Sequence, residues 1–209
     1  RVKLPTNLGY HSSVLYNSKL IVVGGFDGNA TSNCIHEIRL SPPYTVKLLS
    51  KMPEPRRGHC CQIFNDKLII VGGRTTSRYN DSLRSVVLYD MKKDEWKQLA
   101  SLPYEVSIMA TVRWENNIVV LGGHDKNGKR LNSVIIYNVH TGKSHMLPAM
   151  RSKRLGCSAV VIGNKIVALG GMDGQGPLKS VEAFDFQSYI WEELPEMSVA
   201  RWFHTAAVV

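Results

Sequence analysis

Arginines at one recurring spacing are the residues best placed to do chemistry in this 209-residue chain. Arg56, Arg154 and Arg201 each stand three residues before a position held in turn by His59, Cys157 and His204. A planar guanidinium grips carboxylates in pairs. Arginines set at one repeated position therefore suit recognition of an acidic partner, and they equally suit bracing loops through backbone carbonyls. The net charge of +9 favours an acidic partner, whether peptide, nucleic acid or anionic membrane, without choosing among them. Other reactive residue types form no catalytic set. His11, His59 and His204 share a repeat position, which fits packing, because a metal or catalytic cluster would break the symmetry. His124, His140 and His145 keep no fixed spacing to acidic or cysteine partners. Asp27, Asp125 and Asp173 each lie two residues beyond a diglycine and read as turn residues. No nucleophile elbow, Ser/His/Asp set or phosphate loop is present. The expectation is no catalytic residue, no metal and no cofactor.

The four cysteines, Cys34, Cys60, Cys61 and Cys157, contain no C-x-x-C spacing. Buried, reduced thiols are expected, which favours the cytoplasm or nucleus. Two sequons, at Asn29 and Asn80, would matter only in a secreted protein. No apolar run approaches the ~18 residues of a membrane helix, so no membrane association is expected.

The elements that must position these residues come from a repeat of nearly fixed period. Gly24-Gly25, Gly72-Gly73, Gly122-Gly123 and Gly170-Gly171 follow one another at intervals of 48, 50 and 48 residues. Each diglycine ends an apolar run, such as Leu20-Ile21-Val22-Val23 or Leu68-Ile69-Ile70-Val71. Such β-branched runs stopped by glycine predict strands buried on both faces. After a polar loop comes Tyr89, Tyr137 or Phe184, followed ten residues later by Leu99, Leu147 or Leu194. Trp96 and Trp191 lie seven residues after Tyr89 and Phe184. Each period thus predicts four short strands and no helix. The diglycines lack the downstream helix that a dinucleotide site needs.

The diglycine after an apolar run, the Tyr-Asp pair, the Tyr-to-Trp spacing and the following Leu and Met together resemble the kelch repeat, over essentially the whole chain. Ser85-Val86-Val87-Leu88-Tyr89-Asp90 through Trp96 is a close match, as is Ser180 through Trp191. The resemblance implies an all-β fold, a kelch β-propeller with four complete four-stranded blades. Full repeats are expected at about 6–53, 54–103, 104–150 and 151–197, with partial blades at 1–5 and 198–209. The first repeat has Ile38 in the aromatic position and no Trp, and the third has Ser144 in place of Trp. Those two blades are expected to pack less aromatic area. At about 49 residues per blade, a six-bladed propeller needs roughly 290 residues, so this chain is expected to be a fragment of one.

The resemblance to BTB–kelch adaptors of cullin ubiquitin ligases implies a protein-interaction domain that recognises substrates. In such proteins the loop carrying Arg56, Arg57, Arg154 and Arg201 faces a partner-binding rim and meets an acidic peptide. Ser85, Asn132, Ser133 and Ser180 are expected on the same rim. Replacing these arginines should weaken binding and leave the fold nearly unchanged. Actin binding is the alternative within the interaction class. Kelch-fold enzymes of oxidase or sialate-epimerase type are the alternative outside it, although nothing here assembles the Tyr, Cys and His copper site of the former. Nucleic-acid binding is disfavoured, because the basic residues are spread over all repeats without interleaved aromatics.

Overall fold

The computed structural model describes residues 3–208. The apolar run before each diglycine is a strand, and each lies inside a four-stranded antiparallel sheet. The first sheet is β1 (Ser12–Tyr16), β2 (Lys19–Val23), β3 (Cys34–Arg39) and β4 (Val46–Lys51). The second is β5 (Cys60–Phe64), β6 (Lys67–Val71), β7 (Val86–Asp90) and β8 (Glu95–Gln98). The third is β9 (Ala110–Trp114), β10 (Asn117–Leu121), β11 (Val134–Asn138) and β12 (Ser144–Leu147). The fourth is β13 (Ser158–Ile162), β14 (Lys165–Leu169), β15 (Val181–Asp185) and β16 (Ile190–Leu194). Every strand pairs with its neighbour in sequence, so each sheet is a simple meander. Among the described residues the only helical element is a 3-10 turn at Tyr79–Asp81, and no helix is long and apolar enough to cross a membrane.

The chain divides into two compact units, Arg1–Ser107 and Ile108–Val209. In the first unit, Ile21, Val23, Ile35 and Met52 of one blade pack on Cys61, Leu68, Ile70, Val87 and Tyr89 of the next. In the second, Val119, Leu121, Val134, Leu147 and Met150 pack on Cys157, Ile166, Ala168, Phe184 and Trp191. Full burial of one such aliphatic side chain contributes about 1.5–3 kcal/mol. A lone meander could not hide both faces, so the blades are held by stacking. The fourth blade buries Val167, Val181 and Ala183 in a further cluster.

The repeat departures have local consequences. Tyr89 faces Trp96 across the strands, with ring centroids 4.8 Å apart. Phe184 faces Trp191 at 5.4 Å. Tyr137 faces only Ser144, and Ile38 faces Val46. The first repeat also carries one extra residue between Ile38 and Met52. β4 absorbs it as a bulge: Ile35 faces Ser50 while His36 faces Leu48, leaving Leu49 unpaired. Trp114 stacks on Phe186 at 4.2 Å, so the third and fourth blades gain an aromatic contact that the repeat pattern did not predict.

Candidate partner-binding rim

The diglycines are the joints between blades. The second glycine of each pair donates its N–H to a loop carbonyl of the following repeat. Gly25 bonds Arg56 at 2.8 Å, Gly73 bonds Val106 at 2.9 Å, and Gly123 and Gly171 bond Arg154 and Arg201 at 2.8 Å. The first glycine must let that carbonyl approach. Its φ is +61° at Gly122, and a Cβ there would lie 2.2 Å from the Arg154 oxygen. Only glycine meets both demands.

The recurring arginines extend these joints. Arg56 is fully buried and Arg154 is 1% exposed. Arg56 donates to the Gly72 carbonyl at 2.8 Å, the Ser85 carbonyl at 3.2 Å and the Ser85 hydroxyl at 2.7 Å. Arg154 donates to the Gly170 and Ser180 carbonyls at 2.6 and 2.9 Å and to the Ser180 hydroxyl at 2.9 Å. Each arginine therefore ties one blade through its carbonyl and its own blade through its side chain. Carboxylates complete both sets: Glu54 bonds Arg56 at 2.6 Å, and Glu182 bonds the Arg154 Nε at 2.9 Å. Glu182 is itself 1% exposed, and it accepts the Arg151 and Ser152 amides as well.

The expectation that Arg56 and Arg154 contact a partner is thereby corrected. Their donors are turned inward: each meets the carbonyl of a first diglycine residue, Gly72 or Gly170, and gives the Ser85 or Ser180 carbonyl a second donor beside the main-chain N–H it already accepts. Ser85 and Ser180 are half-buried, with their hydroxyls engaged by those arginines. The Asn132 side chain donates to the Met150 carbonyl at 2.9 Å, which ties it to the strand connection. Ser133 is half-buried, and its carbonyl accepts the Gly122 N–H. Arg201 differs from its repeat mates in being exposed.

Arg57 is one residue further along the loop and points elsewhere. It pairs with Arg74 through reciprocal main-chain hydrogen bonds of 3.0 Å, directly across an antiparallel bridge. Its guanidinium lies over the rings of Phe26, at 4.0 Å, and Tyr10, at 4.8 Å. Arg74 lies under Tyr79 at 5.4 Å and donates to the Ser77 carbonyl at 3.2 Å. Neither guanidinium has a carboxylate partner among the described residues, and the Nε of each is buried without a hydrogen bond. Burial, and then the Arg74 charge, push the Arg57 pKa down. Arg74 has no counterpart in the other repeats, where Phe26, His124 and Met172 follow the diglycine, so repeat-based reasoning passed it over.

The histidine position is a packing site. His59 sits under the first diglycine, its Cε1 2.9 Å from where a Gly24 Cβ would be. Burial, with the nearby Arg56 and His11 charges, holds its pKa down at about 3, so the ring is neutral. Among the described residues no group of three or more His, Cys, Asp or Glu is arranged to hold a metal. None of the four cysteines is in a disulfide, and burial pushes the Cys61 thiol up to about 12.

The comparisons with known proteins agree with this architecture. Kelch-like protein 41a of Danio rerio is 32% identical over 122 residues, covering 58% of this chain and 20% of that protein. Kelch repeat and BTB domain-containing protein 2 of Cowpox virus (strain Brighton Red) is 27% identical over 124 residues, 59% of this chain and 22% of that protein. The chain thus spans about a fifth of the length of the curated relatives it matches. The structure titled "Structure of YjhT" superposes with a TM-score of 0.85 at 16% identity, covering 95% of this chain and 73% of that one, which shows the fold alone. The Attractin/LZTR1 beta-propeller family model matches residues 42–209, and the chain belongs to that family as a kelch-repeat propeller.

Proposed function

We propose that this chain is the partner-recognition part of a larger, non-catalytic protein, and that it binds an acidic protein segment on the loops around its diglycine joints. The observation that carries the reading is Arg57. It meets two aromatic rings and no carboxylate among the described residues, whereas Arg56 beside it is paired with Glu54. In the second unit, taken by itself, exposed Arg201 and half-buried Ser133 are proposed as partner contacts of that unit. The +9 charge adds long-range attraction for such a segment. The finer reading we propose is substrate recognition for a cullin-type ubiquitin ligase, in keeping with relatives named for kelch repeats and a BTB domain; cysteines in no disulfide fit the cytoplasm or nucleus.

The test is an array of Glu/Asp-rich peptides against neutral scrambles, read at low and high salt. Acidic peptides should bind, weaken as salt rises, and lose at least about tenfold in affinity in an Arg57→Leu variant. Equal binding of the scrambles would refute the acidic-segment reading. For the ligase role, the full-length protein should co-precipitate a cullin, and a protein that does not is no such adaptor.

A further inference from the structure

We infer that Arg57 and Arg74 form a subsite for a phosphoryl group carried by the partner, as phosphoserine or phosphothreonine. The inference rests on the reading of these loops as an acidic-partner site, and it specifies the anion.

Residues that exchange both main-chain hydrogen bonds across an antiparallel bridge have Cα atoms about 5.5 Å apart and side chains on one side. Like charges placed so are destabilising. Here both members are arginine, and they are only 6% and 8% exposed. The fold does not need charge at this place. The equivalent bridges pair Gly9 with Phe26 and Leu155 with Met172. Those pairs make the same main-chain bonds, with Gly9 to Phe26 at 2.8 Å and Leu155 to Met172 at 2.9 Å. The arginine pair is therefore an unfavourable departure from a bridge that apolar residues make elsewhere in the same chain.

What would answer this pair is a compact dianion. One carboxylate neutralises half of the charge. A phosphoryl group carries about −1.5 to −2 at pH 7 with three acceptor oxygens, which suits two guanidiniums and their unpartnered Nε–H groups. Phe26 and Tyr10 flank the Arg57 plane, and Tyr79 covers Arg74. These rings hold the forks in place before a ligand arrives, which lowers the ordering cost of binding. Tyr10 and Tyr79 are about half-exposed, so the pair lies close behind the surface.

The experiment uses the whole chain with arginine Nε–H resonances assigned. Inorganic phosphate is titrated against acetate at equal ionic strength, and a Gly/Ser-rich peptide bearing one phosphoserine is compared with its glutamate counterpart. The control variant is Arg57→Leu with Arg74→Met, which installs the residues of the Leu155–Met172 bridge and should fold, as a thermal melt will verify. Phosphate should move the Arg57 and Arg74 resonances and acetate should not. The phosphoserine peptide should bind at least about tenfold more tightly than the glutamate peptide, and the variant should lose that preference. Equal binding of the glutamate peptide would overturn the phosphoryl assignment and leave the acidic rim standing. Phosphate leaving both resonances unmoved, with neither peptide bound, would overturn the subsite and also the Arg57-centred reading beneath it. A phosphate preference that survives in the variant would place the site elsewhere and overturn the assignment too.

Discussion

Replacing Arg154 by alanine removes four hydrogen bonds and an ion pair with Glu182 from a site that is closed to solvent. The Gly170 carbonyl, held at 2.6 Å, loses its arginine donor, and the Ser180 carbonyl and hydroxyl lose theirs at 2.9 Å. The largest effect falls on Glu182, which is 1% exposed and keeps only the amides of Arg151, at 2.7 Å, and Ser152, at 3.2 Å. Removing one partner of a buried ion pair costs about 3–5 kcal/mol, because the other charge stays buried. For a chain of this size each kcal/mol moves the melting temperature by about 2–4 °C, so a fall of roughly 6–20 °C is expected. The Gly123 bond to the Arg154 carbonyl survives the change, so the joint itself remains. Adding Glu182→Val removes the stranded carboxylate, and Val87 already holds the equivalent place in the second blade. The double variant should recover part of the loss. Arg201→Ala, at an exposed residue, should stay within about 0.5 kcal/mol. Thermal and urea melts of the four proteins decide the matter. An Arg154→Ala protein that melts within about 0.5 kcal/mol of the parent, or a double variant worse than the single, would refute the bracing role.

Protonation of His59 supplies a second test. Its folded pKa of about 3 lies below the ordinary 6.5, so the unfolded chain binds the proton first. Stability from this group is therefore present above pH 6.5 and falls as pH drops toward 3, by about 2 kcal/mol at pH 5. His59→Met, which copies Met109 of the next repeat, should flatten that slope in pH-dependent melts; an unchanged slope would assign it to other groups. At the joints, Gly122→Ala forces a Cβ to within 2.2 Å of a backbone oxygen and should cost well over the roughly 1–2 kcal/mol of an ordinary left-handed residue. Gly163→Ala, at a similar φ of +56° but with nothing within 4 Å, should cost only that amount, and equal losses in urea melts would show that the close approach is relieved cheaply.

The strands and their order were legible in the sequence because each depends on local pattern; that the diglycines join one blade to the next was not. An apolar β-branched run stopped by two glycines is nearly obliged to be a buried strand, and repetition in register told which loops are equivalent. The spacing marks the arginine position as important, and it fits bracing of loop carbonyls as well as it fits binding. Which reading held was decided only in three dimensions. Arg56 and Arg57 are adjacent and chemically identical, yet Arg56 meets Gly72 and Ser85 while Arg57 meets Tyr10 and Phe26. Glu182 left a faint trace, a carboxylate where Val87 and Ile135 are apolar, and the Arg57–Arg74 pair left none. Periodicity encodes which face of a strand is buried, since that depends on neighbours two residues away. The direction of a loop side chain depends on carbonyls and rings brought beside it from 16 to 47 residues off, and only packing of the sheets puts them there.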